Sequence, residues 1–361
     1  MIILGIESSC DETAAAIVKD GSTLLSNVVR SQIDIHKAYG GVVPEVAARS
    51  HIEVVNAVIE QAVQEAGLSW HNIDGIAVTY APGLLGSLLI GTLAARTLAI
   101  QKNIPLYPIH HVEAHVYANF ITEQAPHLNL TLPKEQPKFP MLALIVSGGH
   151  SQLVLFKDHG NYSLLGQTQD DAVGEAFDKV AKIVGLPYPG GPAIAQAALN
   201  GDRYAYKFPK AKLKGAYDYS FSGLKTAVLR AVQREVGVDT TFPSHGLAGL
   251  LNDRQRADFA ASFQNTAIET LVDGAERAFK AYSPASVVIA GGVAANSELR
   301  QQLKERIPLP IEYAPIQLCT DNGAMIATLG CFYAERHPAT DPYTLEVEPS
   351  LSMSKTAWNA V

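Results

Sequence analysis

The chain alternates between short apolar runs of strand length and longer segments in which apolar residues recur at helical spacing. Near the N-terminus, residues 2–6 predict a buried strand, 13–18 its return and 24–30 a third strand, with a small polar turn at 7–12. Residues 43–67 predict a helix, because apolar residues recur there every three or four positions and a glycine ends the segment.

The same opening recurs in the second half of the chain. Residues 141–146 predict a buried strand, 147–150 a tight Ser-Gly-Gly-His turn, 151–156 a return strand and 162–168 a third strand. A proline-containing connector at 122–140 predicts a surface loop between the halves. The repetition predicts a duplicated α/β fold.

The remaining patterns complete two lobes. Further strands are predicted at 73–80, 104–109 and 286–290, and glycine-rich turns at 82–87 and 291–296 each lead into a helix. Other helices are predicted at about 174–184, 193–200, 222–236, 256–281 and 322–334. The expected organisation is an N-terminal lobe at 1–121, a C-terminal lobe with a helical insertion at 141–334, and a weakly patterned tail at 335–361.

Composition is that of a well-buried globular enzyme of roughly two domains: 361 residues, 47% hydrophobic and 17% charged. Cys10, Cys319 and Cys331 are odd in number and lack C-x-x-C spacing, so we expect reduced thiols in a cytosolic protein. No apolar run is long enough to span a membrane, and the N-terminus lacks the features of a signal peptide. We therefore expect a cytoplasmic location and no membrane partner.

Two histidines four residues apart are the strongest candidates for chemistry. On a helix, His111 and His115 lie on one face, where two neutral imidazoles can share a divalent cation. A zinc protease of the usual kind needs a glutamate directly after the first histidine, and Val112 stands there instead. The pair predicts a metal site that is not a protease site. The alternative is a helix whose histidines cap it or bond to backbone.

Many short motifs together resemble those of bacterial tRNA threonylcarbamoyladenosine transferases, formerly called O-sialoglycoprotein endopeptidases. The resemblance covers nearly the whole chain. The matching stretches lie at residues 5–13, 41–45, 82–84, 110–115, 146–150, 174–179, 188–192, 221–225, 291–296 and 319–322. Kinases of the same fold lack the histidine pair, so the set separates this chain from them.

The resemblance implies a duplicated actin-like ATPase (ASKHA) fold, with a nucleotide cleft between two α/β lobes. It implies that threonylcarbamoyl-AMP donates its threonylcarbamoyl group to N6 of the adenosine at position 37, beside the anticodon, in tRNAs that read codons beginning with A. AMP is released. It also implies one divalent metal, Fe(II) with Zn as the alternative. The implied partners are a paralogue of the same fold without the histidine pair and a small P-loop ATPase.

The resemblance also assigns candidate site residues. His111, His115 and Asp321 match the metal ligands, and the alternative for Asp321 is a helix N-cap. Archaeal relatives have a tyrosine ligand where this chain has Ile145, so the fourth ligand is expected to be substrate or water. The residues expected to contact the substrate are Ile145, Val146, Ser147, Gly148, Gly149, Asp178, Gly191 and Asn296.

Asp11 and Glu12 lie at the tip of the first predicted hairpin and are the candidate catalytic residues. An acid pair at that place can position or deprotonate the attacking amine. The alternative is a solvated turn.

One basic stretch, residues 203–214, interleaves five cations with three aromatic rings. Cations pair with phosphates and aromatic rings stack on unpaired bases, so the stretch is the candidate tRNA contact. The alternative is a solvated loop with buried rings. Because the formal net charge is −7, we expect partner proteins to help hold tRNA.

Two competing hypotheses belong to other classes. An ATP-dependent kinase or ATPase of the actin-like fold would be favoured by ATP turnover that yields a phosphorylated sugar. A non-catalytic scaffold that pairs with a paralogue is the other, and the presence of the histidine pair argues against it.

Overall fold

The structure, a computed structural model, describes residues 1–356, so the last five residues of the predicted tail lie outside the described part. The chain forms two compact units. The first consists of Met1–Lys138, Phe156–Ser163 and the chain from Glu312 onward. The second consists of Phe139–Leu155 and Leu164–Ile311.

The strands build two mixed sheets. They are β1 (Ile2–Glu7), β2 (Glu12–Lys19), β3 (Thr23–Ser31), β4 (Gly75–Ala81), β5 (Leu106–His110), β6 (Glu123–Gln124), β7 (Met141–Val146), β8 (Ser151–Asp158), β9 (Asn161–Gln167), β10 (Ser286–Ala290) and β11 (Ile311–Tyr313). The first sheet has the order β5-β4-β1-β2-β3-β6, and the second has the order β11-β10-β7-β8-β9.

The two sheets share one topology. In the first sheet β1 pairs antiparallel with β2 and parallel with β4, with Leu4 opposite Ile17 and Ile76. In the second sheet β10 pairs parallel with β7, and β8 lies on the other side of β7. The order β4-β1-β2-β3 thus recurs as β10-β7-β8-β9, which confirms the duplicated α/β fold predicted from the sequence.

Helices cover these sheets and fill the connection between β9 and β10. They are α1 (Ile33–Lys37), α2 (Pro44–Glu65), α3 (Leu85–Lys102), α4 (His111–Tyr117), α5 (Val173–Val184), α6 (Gly190–Ala198), α7 (Ser222–Glu235), α8 (Ser244–Leu247), α9 (Asp253–Tyr282), α10 (Ser297–Arg306), α11 (Ile316–Cys319) and α12 (Gly323–Ala334). The long periodic segments are helical as predicted, whereas α1, α8 and α11 are too short for periodicity to indicate them.

The last helix, α12, packs on the first sheet at very close range. Alternate residues of a strand face opposite sides of the sheet. Leu4 and Ile6 of β1 face α2 and α3 in one core cluster, whereas Gly5 faces α12. A Cβ at Gly5 would lie 2.3 Å from the Gly323 carbonyl oxygen and 2.4 Å from the Ala327 nitrogen. Glycine in β1 is therefore what lets the backbone of α12 reach the sheet.

The segment after α12 runs back over the first unit as turns and irregular chain. The Arg96 guanidinium donates to the carbonyl oxygens of Pro342 and Tyr343. The Gly83 N–H donates to the Pro349 carbonyl oxygen at 3.1 Å. The predicted tail is therefore bound to α3 and the turn that precedes it over residues 342–349.

Two further expectations concern thiols and membranes. Cys10, Cys319 and Cys331 take part in no disulfide in the described part of the chain. Within residues 1–356 no helix combines the length and apolarity needed to cross a bilayer.

We expect Gly5→Ala to destabilise the fold by about 1–3 kcal/mol or more, because the added Cβ overlaps backbone atoms that cannot move aside alone. Thermal unfolding measures this as a melting temperature lower by roughly 2–4 °C per kcal/mol. Gly223→Ala is the control, since a Cβ at Gly223 meets no atom within 4 Å. A Gly5→Ala protein that melts with the wild type would refute the close-packing account.

Candidate functional site

Strand β5 runs directly into α4, and that junction delivers the histidine pair. His110 is the N-cap of α4, and its side chain accepts a hydrogen bond from the Glu113 N–H. Every residue of α4 is buried. Apolar packing alone gives a buried helix no reason to carry histidines, so the partners of His110, His111 and His115 show what each ring does.

The two rings and one carboxylate converge as predicted. His111 and His115 have ring centroids 4.7 Å apart. Asp321 Oδ1 lies 3.2 Å from His115 Nε2 and 3.5 Å from His111 Nε2. Among residues 1–356 these three form the only group of three or more metal-ligand side chains that come within 4.8 Å of one another.

The His115 ring fits a metal ligand better than a hydrogen-bonded core residue. Both ring nitrogens are buried, and neither makes a hydrogen bond within the described chain. The 3.2 Å separation from Asp321 is short enough for an ion pair but lacks hydrogen-bond geometry. A buried polar atom without a partner is costly, and a cation held jointly with Asp321 would give one of the His115 nitrogens a partner.

Asp321 does not cap the following helix, which was the alternative to its role as a ligand. The N-cap of α12 is Asn322, whose side chain accepts from the Met325 N–H at 3.0 Å. Since α12 is held against β1 by the close approach at Gly5, the residue just before Asn322 is carried to the histidine pair of α4.

Glu7 is the residue that sequence analysis left without a role. It ends β1, is fully buried, and its Oε2 lies 2.9 Å from His111 Nδ1. Burial alone raises the pKa of Glu7, but His111 outweighs it and holds the pKa below its usual range. Burial lowers the pKa of His111, and the Glu7 and Asp321 carboxylates outweigh that effect and raise it to about 9. The Glu7 and Asp321 carboxylates thus stabilise a positive charge at this buried site.

Asp11 and Glu12 lie in the same unit as the histidine pair. Glu12 accepts from the Ser31 hydroxyl at 3.0 Å, so the turn is not simply solvated. Burial, with the nearby Asp321 and Asp11 carboxylates, raises the pKa of Glu12 to about 9. The electrostatic link to Asp321 places Glu12 within the influence of the metal group.

In the second unit, the Ser-Gly-Gly-His turn follows β7 as predicted. The Ser147 N–H donates to the His150 carbonyl oxygen at 2.8 Å, and the Ser147 hydroxyl oxygen accepts from the His150 N–H. Gly148 and Gly149 are exposed, and a Cβ on either would meet no atom within 4 Å. The side chains of Ile145 and Val146 are fully buried in the strand.

Other expected contact residues gather at the same edge of the second sheet. Strands β7 and β10 are parallel, so both end there. The Gly291 turn after β10 approaches so closely that a Cβ would lie 2.5 Å from the Val146 carbonyl oxygen. The N-terminus of α5 also abuts the turn, because the Gly174 N–H donates to the Ser147 carbonyl oxygen.

Asp178, Gly191 and Asn296 extend this edge. Asp178 Oδ1 accepts from the Gly190 N–H at 2.6 Å, which ties the start of α6 to α5, and the space beside Gly191 is open. Asn296 caps α10 and donates to Gln264 Oε1 at 3.0 Å. A pocket of about 280 Å³ adjoins Asn296, with Gln264, Asn265, Ser297 and Gln301 among its lining residues.

The structure divides the basic stretch into paired and solvated cations. Arg203 forms a bidentate pair with Glu298, and Lys210 contacts Glu269 and Asp273. Within residues 1–356 no carboxylate lies within ion-pair distance of the remaining cations. These are Lys207, Lys212 and Lys214.

The aromatic rings of that stretch are divided too. Tyr206 stacks on Phe259 at a centroid distance of 3.8 Å, and Phe208 is buried. Only Tyr204, which is 77% exposed, is available for stacking on a base. The alternative of buried rings therefore holds for Phe208, whereas Tyr206 is half-buried with one ring face covered by Phe259.

Comparison with known proteins gives one family. The family model of tRNA N6-adenosine threonylcarbamoyltransferase (TsaD) matches residues 23–328. A protein of that name from Thermomicrobium roseum is 48% identical over 352 residues, which cover 94% of each chain. One from Bacillus subtilis is 45% identical over 359 residues, which cover 98% of this chain and 96% of the relative. These names support the transferase hypothesis and not the kinase or ATPase alternative.

Solved structures show the fold. The crystal structure of T. kodakarensis HypF aligns with a TM-score of 0.58 at 13% identity, over 92% of this chain and 48% of that one. A full-length HypF in its phosphate- and nucleotide-bound form aligns with a TM-score of 0.55 at 14% identity, over 94% of this chain and 47% of that one. At such low identity these similarities carry the architecture alone, which is the predicted actin-like fold.

Proposed function

The chain belongs to the tRNA N6-adenosine threonylcarbamoyltransferase family, and we propose that His111, His115 and Asp321 hold the divalent metal its reaction requires. It transfers a threonylcarbamoyl group to N6 of an adenosine in tRNA. The family is metal-dependent. The observation that carries the ligand assignment is the buried His115 ring, which has no hydrogen-bond partner and lies 3.2 Å from Asp321.

Fe(II) is the metal we propose, with Zn as the alternative. Two histidines and one carboxylate are the ligand set of sites that keep open positions for substrate, and both metals accept it. Ile145 is fully buried and apolar, so the remaining ligands come from substrate or water. When bound, the metal supplies a Lewis acid for a carbonyl oxygen of the threonylcarbamoyl group.

The proposed donor is threonylcarbamoyl-AMP, and the proposed acceptor is the adenosine beside the anticodon in tRNAs that read codons beginning with A. A bond forms between N6 and the carbamoyl carbon, the bond from that carbon to the AMP phosphate oxygen breaks, and the amine loses a proton. We assign Asp11 and Glu12 to positioning that amine and taking its proton. Glu12 is set apart from a solvated turn residue by its burial beside the Asp321 and Asp11 carboxylates, which raises its pKa to about 9, and perturbed carboxyl groups of this kind are typical of active sites.

We propose that the adenylate part of the donor binds at the edge of the second sheet, on Ser147, Gly148 and Gly149. Backbone N–H groups of a glycine turn can approach a phosphate closely when no Cβ intervenes. The open space beside both glycines supports this. The ribose and adenine would then extend past Asp178 and Gly191 toward Asn296, and the adjoining polar pocket has room for a base.

For tRNA we propose the solvated cations of the basic stretch, Lys207, Lys212 and Lys214, with Tyr204 beside them. Arg203 and Lys210 already neutralise carboxylates and have less to gain from a phosphate. Three lysines on an acidic chain can contact only a few tRNA phosphates. The proposed partners, a paralogue of the same fold and a small P-loop ATPase, would supply or order the rest.

We expect His111→Ala and His115→Ala each to abolish stoichiometric metal binding, with affinity lower by more than about 100-fold, because each removes a ligand. Transfer of the threonylcarbamoyl group to tRNA should fall together with the metal content. Metal analysis of the dialysed protein and mass spectrometry of the tRNA nucleosides measure the two effects. His245→Ala, which removes an exposed histidine of the second unit, is the control. A double variant of His111 and His115 with full metal content would contradict the ligand assignment.

We expect Gly149→Val to weaken threonylcarbamoyl-AMP binding at least about tenfold, which corresponds to roughly 1.4 kcal/mol. The side chain would occupy the space that a phosphate needs, and its Cβ would meet no atom of residues 1–356 within 4 Å. Titration calorimetry with the adenylate measures the loss. The melting temperature and metal content should match the wild type, and unchanged affinity would remove this turn from the substrate site.

We expect replacement of Lys207, Lys212 and Lys214 by alanine to flatten the salt dependence of tRNA binding. The slope of log affinity against log salt should fall by very roughly 0.7–0.9 for each phosphate that no longer has a lysine partner. The matched variant replaces Arg203 and Lys210, which belong to the same stretch but are ion-paired, and its slope should change little. Equal slopes for all three proteins would place the tRNA surface elsewhere.

A further inference from the structure

Three hydrogen-bond donors converge on the buried carboxylate of Glu7. The Ser9 N–H donates to Oε1, and the Thr79 hydroxyl donates to Oε2 at 2.6 Å. His111 Nδ1 lies 2.9 Å from the same Oε2. Glu7 and Thr79 are both fully buried, so no water competes for these positions. The Ser9 N–H and the Thr79 hydroxyl thus hold the carboxylate from two sides, independently of His111.

This arrangement determines how the His111 ring is protonated and turned. An ionised carboxylate only accepts hydrogen bonds, so the ring nitrogen that faces Glu7 must carry a proton. The Ser9 hydroxyl, 3.1 Å from the same Nδ1, restrains the ring further. In the neutral ring the lone pair is then on Nε2, the atom that faces Asp321 at 3.5 Å.

We propose that Glu7 is a positioning residue for the metal: it fixes the His111 tautomer and ring orientation, and Thr79 and Ser9 fix Glu7. The inference rests on the proposed metal site, because it concerns the second nitrogen of one proposed ligand. Metal-bound histidines commonly donate their other N–H to a carboxylate, and loss of that carboxylate typically lowers metal affinity 10–100-fold. Neither ring nitrogen of His115 makes a hydrogen bond to the residues that the structure describes. A carboxylate therefore orients the His111 ring but not the His115 ring.

Glutamine cannot take the place of Glu7 even though it has the same shape. Each of the three neighbouring groups presents a hydrogen to the side chain, whereas an amide presents two hydrogens on one of its two ends. If the amide NH₂ faces the Ser9 N–H, two donors meet. If it faces His111 instead, Nδ1 must accept, and the ring proton then lies on Nε2, the nitrogen that faces Asp321. Glu7→Gln therefore removes the function of the carboxylate with little change in volume.

The test is a competition titration of metal-free full-length protein with Co(II) against a chromophoric chelator, with the visible Co(II) spectrum recorded at saturation. We expect Glu7→Gln to weaken Co(II) binding 10–100-fold and to change the ligand-field bands, because the His111 ring is no longer held. Glu113→Gln is the matched control. Glu113 is equally buried and lies on α4 between the two histidines, but it bonds to Tyr162 rather than to a ligand. The Co(II) affinity of Glu113→Gln should stay within about twofold of that of the wild type.

A second pair of variants covers the case in which Glu7→Gln does not fold. Thr79→Val removes the hydroxyl that holds Oε2 and leaves Glu7 in place, whereas Thr79→Ser keeps the hydroxyl. We expect weaker Co(II) binding and altered bands for Thr79→Val, and wild-type behaviour for Thr79→Ser. Wild-type affinity in both would overturn the proposal, as would a folded Glu7→Gln protein with wild-type affinity and spectrum.

His111→Ala in the same titration distinguishes a failure of the Glu7 proposal from a failure of the proposed metal site. If His111→Ala loses Co(II) and Glu7→Gln retains it, the metal site stands and the role of Glu7 is refuted. If His111→Ala binds Co(II) like the wild type, the proposed metal site itself is refuted.

Discussion

The close approach of α12 to β1 is the constraint on which the candidate metal site depends. Gly5 presents no side chain to this helix, and the backbone at Gly323 and Ala327 fills the space that a Cβ would take. The helix cap at Asn322 then determines where the chain enters α12. Asp321, the residue just before the cap, is thereby brought to His111 and His115, which lie about 200 residues earlier in the sequence. A small error in that packing would separate the carboxylate from both rings.

The charges of the converging side chains favour a cation at this place. Glu7 and Asp321 bring two carboxylates to a pair of buried imidazoles, and a buried charge is costly unless it is paired. The same two carboxylates raise the pKa of His111, and a divalent cation would neutralise their charge more fully than one proton. The buried hydrogen bonds from Thr79 and Ser9 fix the Glu7 carboxylate in this arrangement.

Periodicity and spacing predicted the parts of this protein that are local in sequence. The duplicated strand order and the long helices follow from apolar patterns, and the histidine pair follows from its four-residue spacing on a helix. Asp321 was ambiguous because an aspartate before a helix also suits a cap, and the structure gives that task to Asn322. Glu7, and the partners of Arg203 and Lys210, could not be predicted. Their contacts join residues far apart in sequence, and no local pattern marks them.

The central claim is that one metal ion is bound by His111, His115 and Asp321. A crystal structure of the metal-loaded protein, with anomalous difference maps on both sides of the metal's absorption edge, tests it most directly. The account predicts a single strong peak about 2.0–2.2 Å from one nitrogen of each histidine and one oxygen of Asp321. Contact with His111 should be through Nε2, with Nδ1 still on Glu7. A stoichiometric metal bound elsewhere, with His115 left without a ligand or hydrogen-bond partner, would contradict it.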